Sequence, residues 1–233
     1  MSLLLGARAK NHVVLLTDGI SITQNPGKKP QVAETGLVKI FPSKTRPFAL
    51  AHHGENRLGT LPVEKVLENL IPQHLDPAWR TGLNRTIART IDGLDSSVSQ
   101  RLKAGDQRKV SGFWVAGLFP CTEIAEIAEV IWIKSSAARV RVTAKPLGDL
   151  SAGGSGAKYV TEFFGKPFDE KFSYKKIMNE PAEYSIDFLK KLYAHALKAQ
   201  KDAGETLFGG TARMALITED GIDLDAVEIE PAP

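Results

Sequence analysis

The stretch Met1-Ser2-Leu3-Leu4-Leu5-Gly6-Ala7-Arg8-Ala9-Lys10-Asn11-His12-Val13-Val14-Leu15-Leu16-Thr17-Asp18-Gly19 decides how this chain is read. Two apolar runs, 3–9 and 12–17, flank Lys10-Asn11, and the second stops at a Thr-Asp-Gly turn signal, the pattern of a short antiparallel hairpin. Ser2 stands at the mouth of its first strand. With Met1 removed, Ser2 would carry a hydroxyl and a free amine in one residue. An α-amine titrates at about 8, so it can take the hydroxyl's proton directly or through water, with no histidine. Met-Ser is also an ordinary beginning for a cytosolic chain, so Ser2 gains meaning only from residues elsewhere.

Working outward, a polar loop with Pro and Gly covers 24–34, and a second antiparallel pair follows at 37–41 and 47–51. Helical spacing then begins at Leu61, with Val63, Val66, Leu67 and Leu70 on one face and Pro62 in the first turn. A second helix starts after Asp76-Pro77 and carries Leu83, Ile87, Ile91, Leu94 and Leu102. Strands are expected at 112–118, 125–134 and 138–144, then a helix at 157–164 after Gly153-Gly154-Ser155-Gly156. The polar segment 166–181 reads as a surface excursion. A long helix over 184–201 follows, with Ile186, Leu189, Leu192, Tyr193, Ala196 and Leu197 on its stripe, and strands at 212–218 and 223–229 close the chain. Strand blocks separated by helical pairs imply an α+β layered domain instead of a doubly wound parallel sheet, and no linker divides the chain.

Composition narrows the function classes. At 233 residues, with 42% hydrophobic and 24% charged residues, the chain is an ordinary globular protein able to bury one substantial core. Its longest apolar stretches are strand-sized, and Leu3–Leu5 is too short for a signal peptide, so a cytoplasmic protein with no membrane partner is expected. Cys121, the single cysteine, has no internal disulfide partner. A net charge of +3, spread along the chain, does not suggest nucleic acid.

Two residues join Ser2. Asp18 ends an apolar strand immediately before a glycine, a position where a carboxylate is commonly a turn residue that accepts backbone hydrogen bonds. Lys39 interrupts Leu37-Val38-Lys39-Ile40-Phe41, where a lysine lies either at a sheet edge or buried against an acid. An ammonium beside the hydroxyl and the amine would favour their less protonated forms, and a carboxylate would keep that ammonium charged and aimed. The set has complementary roles that its members lack singly.

On these residues the chain resembles the proteasome β-subunit family of N-terminal nucleophile hydrolases, in its bacterial type. In that family an N-terminal threonine opens the first strand, an aspartate follows sixteen residues later, and a lysine lies in the next hairpin. Ser2 and Asp18 are also sixteen positions apart, and Lys39 in Val38-Lys39-Ile40-Phe41 is similar to the family lysine after an insertion at 26–31. The order of elements after the second hairpin, including Gly154-Ser155-Gly156 and the ending Glu219-Asp220-Gly221, continues the resemblance over nearly the whole chain. It implies a single four-layer αββα sandwich over 1–233, with Ser155 supporting the amine and the amide of His53 or Gly54 forming the oxyanion hole. Glu205 is the nearest match to an aspartate that the family has ahead of Gly209-Gly210.

The chain departs from the family where threonine becomes Ser2, which loses the methyl that restricts the rotamer, so slower activity is expected. The usual glycine pair after the lysine strand becomes His53-Gly54. His52 and His53 invite a metal, but adjacent strand residues face opposite ways and no third ligand has standard spacing, so no metal or cofactor is expected. Gly153–Gly156 lacks the Gly-Lys-Ser/Thr ending of a phosphate loop and reads as helix-start packing. Lys190, Lys191, Lys198 and Lys201 read as the solvated face of the long helix.

The resemblance implies a peptidase acting on peptides or unfolded protein through an acyl-enzyme on Ser2. It also implies a homo-oligomeric double ring that encloses the sites, with room for an ATP-driven unfoldase as partner. The chain begins in its first strand, without the helical extension of the family's gating subunits, which points to a β-like ring. Two rival readings remain: a ring protein without catalysis that serves as scaffold or binding module, and a hydrolase acting on a small amide.

Overall fold

The computed structural model describes residues 2–23, 31–54, 56–58, 61–98, 109–120, 122–134, 140–164 and 174–232. Leu102 and Cys121 lie outside them, as do residues 24–30 of the first polar loop and 165–173 of the second. The described chain mixes α and β structure, and its sheets are antiparallel throughout.

Strands β1 (Leu4–Arg8), β2 (Val13–Thr17), β3 (Ile20–Thr23), β4 (Gln31–Thr35), β5 (Ile40–Pro42) and β6 (Phe48–Gly54) come first, followed by the short pair β7 (Arg57–Leu58) and β8 (Leu61–Pro62). Helix α1 (Val63–Leu70) runs through a π turn into α2 (Asp76–Trp79), and α3 (Leu83–Val98) follows. Next come β9 (Lys109–Gly117), β10 (Glu126–Lys134), β11 (Val140–Pro146) and β12 (Leu150–Gly153). After 3-10 turns comes α4 (Ala182–Asp202), and β13 (Ala212–Thr218) with β14 (Gly221–Val227) ends the fold. One five-stranded sheet has the order β12-β1-β2-β13-β14 and the other β11-β10-β9-β6-β5.

The continuous apolar runs of the opening stretch have a simple cause: both of their faces are covered. In β1 and β2, Leu5, Val14 and Leu16 pack with Leu189, Leu192 and Tyr193 of α4. The alternate residues Leu4, Val13 and Leu15 pack with Ile40, Ala51 and Trp114 of the other sheet. Strand β9 divides in the same way, Phe113 and Val115 joining Leu67 and Leu94 of the first helices while Trp114 and Ala116 face the first sheet. Each such leucine is fully buried, and burial of a side chain this size contributes about 1.5–3 kcal/mol.

Four local expectations change. The region 24–34 reads as loop, yet Gln31–Thr35 is a strand paired with β3; all five of its residues are exposed, so no apolar period marks it. Lys39 precedes β5 instead of lying within it, because regular pairing with β6 begins at Ile40. The segment after Gly154 winds as 3-10 turns, Ser155–Tyr159 and Thr161–Phe163, and not as one helix over 157–164. Strand β12 is four residues long and rich in Ser and Gly, and only its pairing with β1 identifies it. The two predicted hairpins, β1–β2 and β5–β6, and the long helix form as expected, the helix as Ala182–Asp202. Among the described residues no helix is long and apolar enough to cross a membrane.

Candidate active site

Ser2 lies just ahead of β1 and is 1% exposed. Its carbonyl accepts a hydrogen bond from Gly156 N at 3.0 Å, and its nitrogen donates to Ser155 Oγ at 3.2 Å. The 3-10 turn that begins at Ser155 therefore clasps Ser2 through backbone and side chain together. Gly154 makes that clasp possible: its φ is +83°, and a Cβ there would collide with the Ser2 carbonyl and lie 3.0 Å from Ser2 Oγ. On the other side, the Gly54 N–H at the end of β6 donates to Ser2 Oγ at 3.3 Å. The hydroxyl thus faces a backbone donor from the opposite sheet.

Asp18 follows β2 and is fully buried. Its Oδ1 accepts from Leu3 N at 2.8 Å and from Lys39 Nζ at 2.8 Å, and Oδ2 accepts from Ile20 N at 3.3 Å. Because the Leu3 nitrogen and Lys39 Nζ share one oxygen, the ammonium is held within two hydrogen-bond lengths of the residue that follows Ser2. Lys39 also donates to the Ile20 carbonyl at 2.6 Å and is 2% exposed. The strong apolar pairing of β1 with β2 sets this geometry, since the register Leu4↔Thr17 brings Leu3 and Asp18 opposite each other. Asp18 N in turn donates to the Leu3 carbonyl at 3.2 Å.

Burial governs the electrostatics. Desolvation pushes Lys39 below the usual lysine range, and the charge and hydrogen bond of Asp18 recover part of that loss. Desolvation likewise raises Asp18, against Lys39 and the Leu3 and Ile20 amides. The Tyr193 hydroxyl, buried and without a hydrogen-bond partner among the described residues, is raised by its own burial and by the charge of Asp18. A desolvated lysine held by a buried carboxylate is a positive charge fixed in place near Leu3, the residue that follows Ser2.

The remaining sequence candidates fall in two places. The Gly54 amide, and not the His53 amide, is the one that donates to Ser2 Oγ. Glu205 lies outside this buried group and accepts from Lys158 Nζ and Tyr159 OH, both at 2.6 Å, which braces the Ser155 turn from its solvent side and lowers the Glu205 carboxyl. The rings of His52 and His53 diverge, His52 lying 5.2 Å from Phe113 and His53 meeting Trp114 edge-on at 6.4 Å. A cavity of about 250 Å3 is lined by Glu34, Leu37, Val38, Phe41, His52 and Asn56 among others, and none of Ser2, Asp18, Lys39, Gly54 or Ser155 lines it.

Sequence reasoning missed Glu129. Its carboxylate is largely buried and accepts from His53 Nε2 and Trp114 Nε1, each at 3.2 Å, and pairs with Lys145 at 3.3 Å. Desolvation raises its pKa, but the two hydrogen bonds and the nearby charges outweigh that and hold it at about 2. The signal was an acid inside the run Ile127-Ala128-Glu129-Val130-Ile131, the same kind of interruption that singles out Lys39. Comparison with models of known protein families and with curated proteins gives no match in either.

Proposed function

We propose that this chain is an N-terminal nucleophile peptidase of proteasome-like type, with Ser2 as nucleophile once Met1 is removed. The observation that carries the proposal is the convergence on Ser2 of three independent groups: Ser155 Oγ at its nitrogen, the Gly54 N–H at its Oγ, and the Asp18–Lys39 pair bonded to its neighbour Leu3. In the reaction, Ser2 Oγ bonds to a substrate peptide carbonyl carbon while its proton passes to the free amine, directly or through water. The carbonyl oxygen becomes an oxyanion that accepts from the Gly54 N–H. Collapse breaks the C–N bond, the proton moves to the leaving amine, and the ester on Ser2 is then hydrolysed. Lys39 stabilises the forming alkoxide, Asp18 orients Lys39, and Ser155 supports the amine.

The two antiparallel sheets share an apolar cluster, and each packs its other face on helices, which supports reading the domain as a four-layer αββα sandwich. A cytoplasmic double ring of identical subunits, fed with unfolded protein by an ATP-driven unfoldase, completes the proposal on the family resemblance alone.

The test is the intact mass of the purified protein before and after treatment with a peptide epoxyketone, whose two rings-forming bonds require an amine and a hydroxyl on one residue. Loss of Met1 and one adduct per chain, absent in Ser2→Ala, is the expected result. Retained Met1 without an adduct overturns the proposal and leaves the scaffold reading.

A further inference from the structure

We infer that the His53 side chain, held by Glu129, is a positioning residue that fixes the His53–Gly54 peptide so that its N–H faces Ser2 Oγ; this rests on the peptidase reading above. Gly54 is the last residue of β6 and has φ +101°, a conformation that only glycine adopts readily. It is the last residue of β6 in register with β9, opposite Ser111, and a donor turned away from Ser2 stabilises no oxyanion. The residue on the other side of the donor's peptide is His53.

Its ring is anchored from several directions. Nε2 lies 3.2 Å from Glu129 Oε1, the same oxygen that accepts from Trp114 Nε1, and the His53 and Glu129 side chains are 13% and 9% exposed. Trp114 also meets the ring edge-on. Two glycines vacate the space it occupies. A Cβ on Gly112 would collide with Nε2, and one on Gly153 would lie 2.9 Å from Cδ2. Gly112 belongs to β9 and Gly153 to β12, which lie in different sheets, so the ring is wedged between the sheets at the end where Ser2 lies. Gly153 is followed by Gly154, the residue that packs on Ser2.

A core histidine with no further role would not need this arrangement. An acid is buried to receive the ring, two backbones give up side chains to admit it, and the ring lies against Gly153, the neighbour of the glycine that packs on Ser2. The consequence is rigidity at the oxyanion donor, supplied by a side chain where a glycine pair would supply none.

The experiment compares kcat, KM and melting temperature on a fluorogenic peptide for the intact chain and for Ser2→Ala, His53→Ala, Glu129→Leu and Glu129→Gln. Loss of an oxyanion donor costs about 100-fold or more in kcat, so a loosened donor is expected to cost about 10-fold, with KM within about twofold. Glu129→Gln keeps an acceptor for the ring N–H and is expected to recover most of the kcat lost in Glu129→Leu. The double variant His53→Ala/Glu129→Leu is expected to fall no further than His53→Ala, as for two residues acting through one contact. If Ser2→Ala is inactive while His53→Ala keeps the full kcat, or loses activity only through KM, the positioning role is overturned and the peptidase reading stands. That outcome decides the matter even if Glu129→Leu does not fold. If Ser2→Ala keeps the full rate, the peptidase reading itself is overturned.

Discussion

Two lysine–carboxylate pairs flank the Ser155 turn and Ser2, at 2.8 Å for Lys39–Asp18 and 2.6 Å for Lys158–Glu205, yet they are different physical objects. The first has side chains 3% and 0% exposed, the second 53% and 38%. Water screens the second pair and competes for its hydrogen bonds, so such a contact contributes little to stability. The first pair has lost its water, and each member depends on the other to remain charged. Desolvation costs make such a pair weak evidence for stability, but breaking it strands a charge in the interior. The comparison teaches where to look for chemistry: the shorter pair is a brace, and the buried one is where protonation states can be shifted.

The largest effects should come from breaking the buried pair. Lys39→Ala or Asp18→Ala leaves a buried partner unpaired and is expected to cost about 3–5 kcal/mol in denaturant unfolding, with peptidase activity lost. Replacing both together, Asp18→Leu with Lys39→Met, sharpens the contrast. Stability should recover to within about 1–2 kcal/mol of the parent because no charge is stranded, while activity stays absent. Recovery of activity in that double variant would show that the pair serves packing alone.

Glu129 stands between the two extremes and offers a test by pH. Its folded pKa of about 2 lies below its ordinary value of 4.5, so its contribution is fully present above pH 4.5 and is lost as pH falls toward 2. A shift of that size corresponds to about 3 kcal/mol. Unfolding free energies measured across that window should fall less steeply for Glu129→Gln than for the parent; equal slopes would show that Glu129 is not the group responsible.

The smallest effect is expected for the exposed pair. Glu205→Ala should leave the unfolding midpoint nearly unchanged and kcat within about threefold, since it removes only a solvent-side brace of the turn. A loss as large as that of Lys39→Ala would mean that the Ser155 turn depends on Glu205 to hold the Ser2 nitrogen.

Much of the fold was legible because its cause is local. The apolar runs of β1 and β2, the Thr17-Asp18-Gly19 turn and the stripe on α4 are periodicities that a single segment carries. Strands β4 and β12 were not legible, since one is exposed along its whole length and the other is a short edge, and both exist through backbone pairing to a neighbour. Ser2, Asp18 and Lys39 could be picked out because each breaks or ends an apolar pattern. Glu129 breaks one too, but its meaning depends on His53, Trp114 and Lys145, which no spacing connects to it.

The sequence by itself determined where the apolar hairpins and the long helix lie, and that a hydroxyl, a carboxylate and a lysine begin, end or interrupt the apolar runs. Only the tertiary structure decided that Gly54 and not His53 offers its amide to Ser2, that Glu205 stays at the surface, and that Glu129 receives the His53 ring. The physical reason is distance along the chain. Periodicity is encoded within a few residues, whereas a hydrogen bond from Gly54 to Ser2, or from His53 to Glu129, is fixed only when two sheets pack and their side chains compete for the same space.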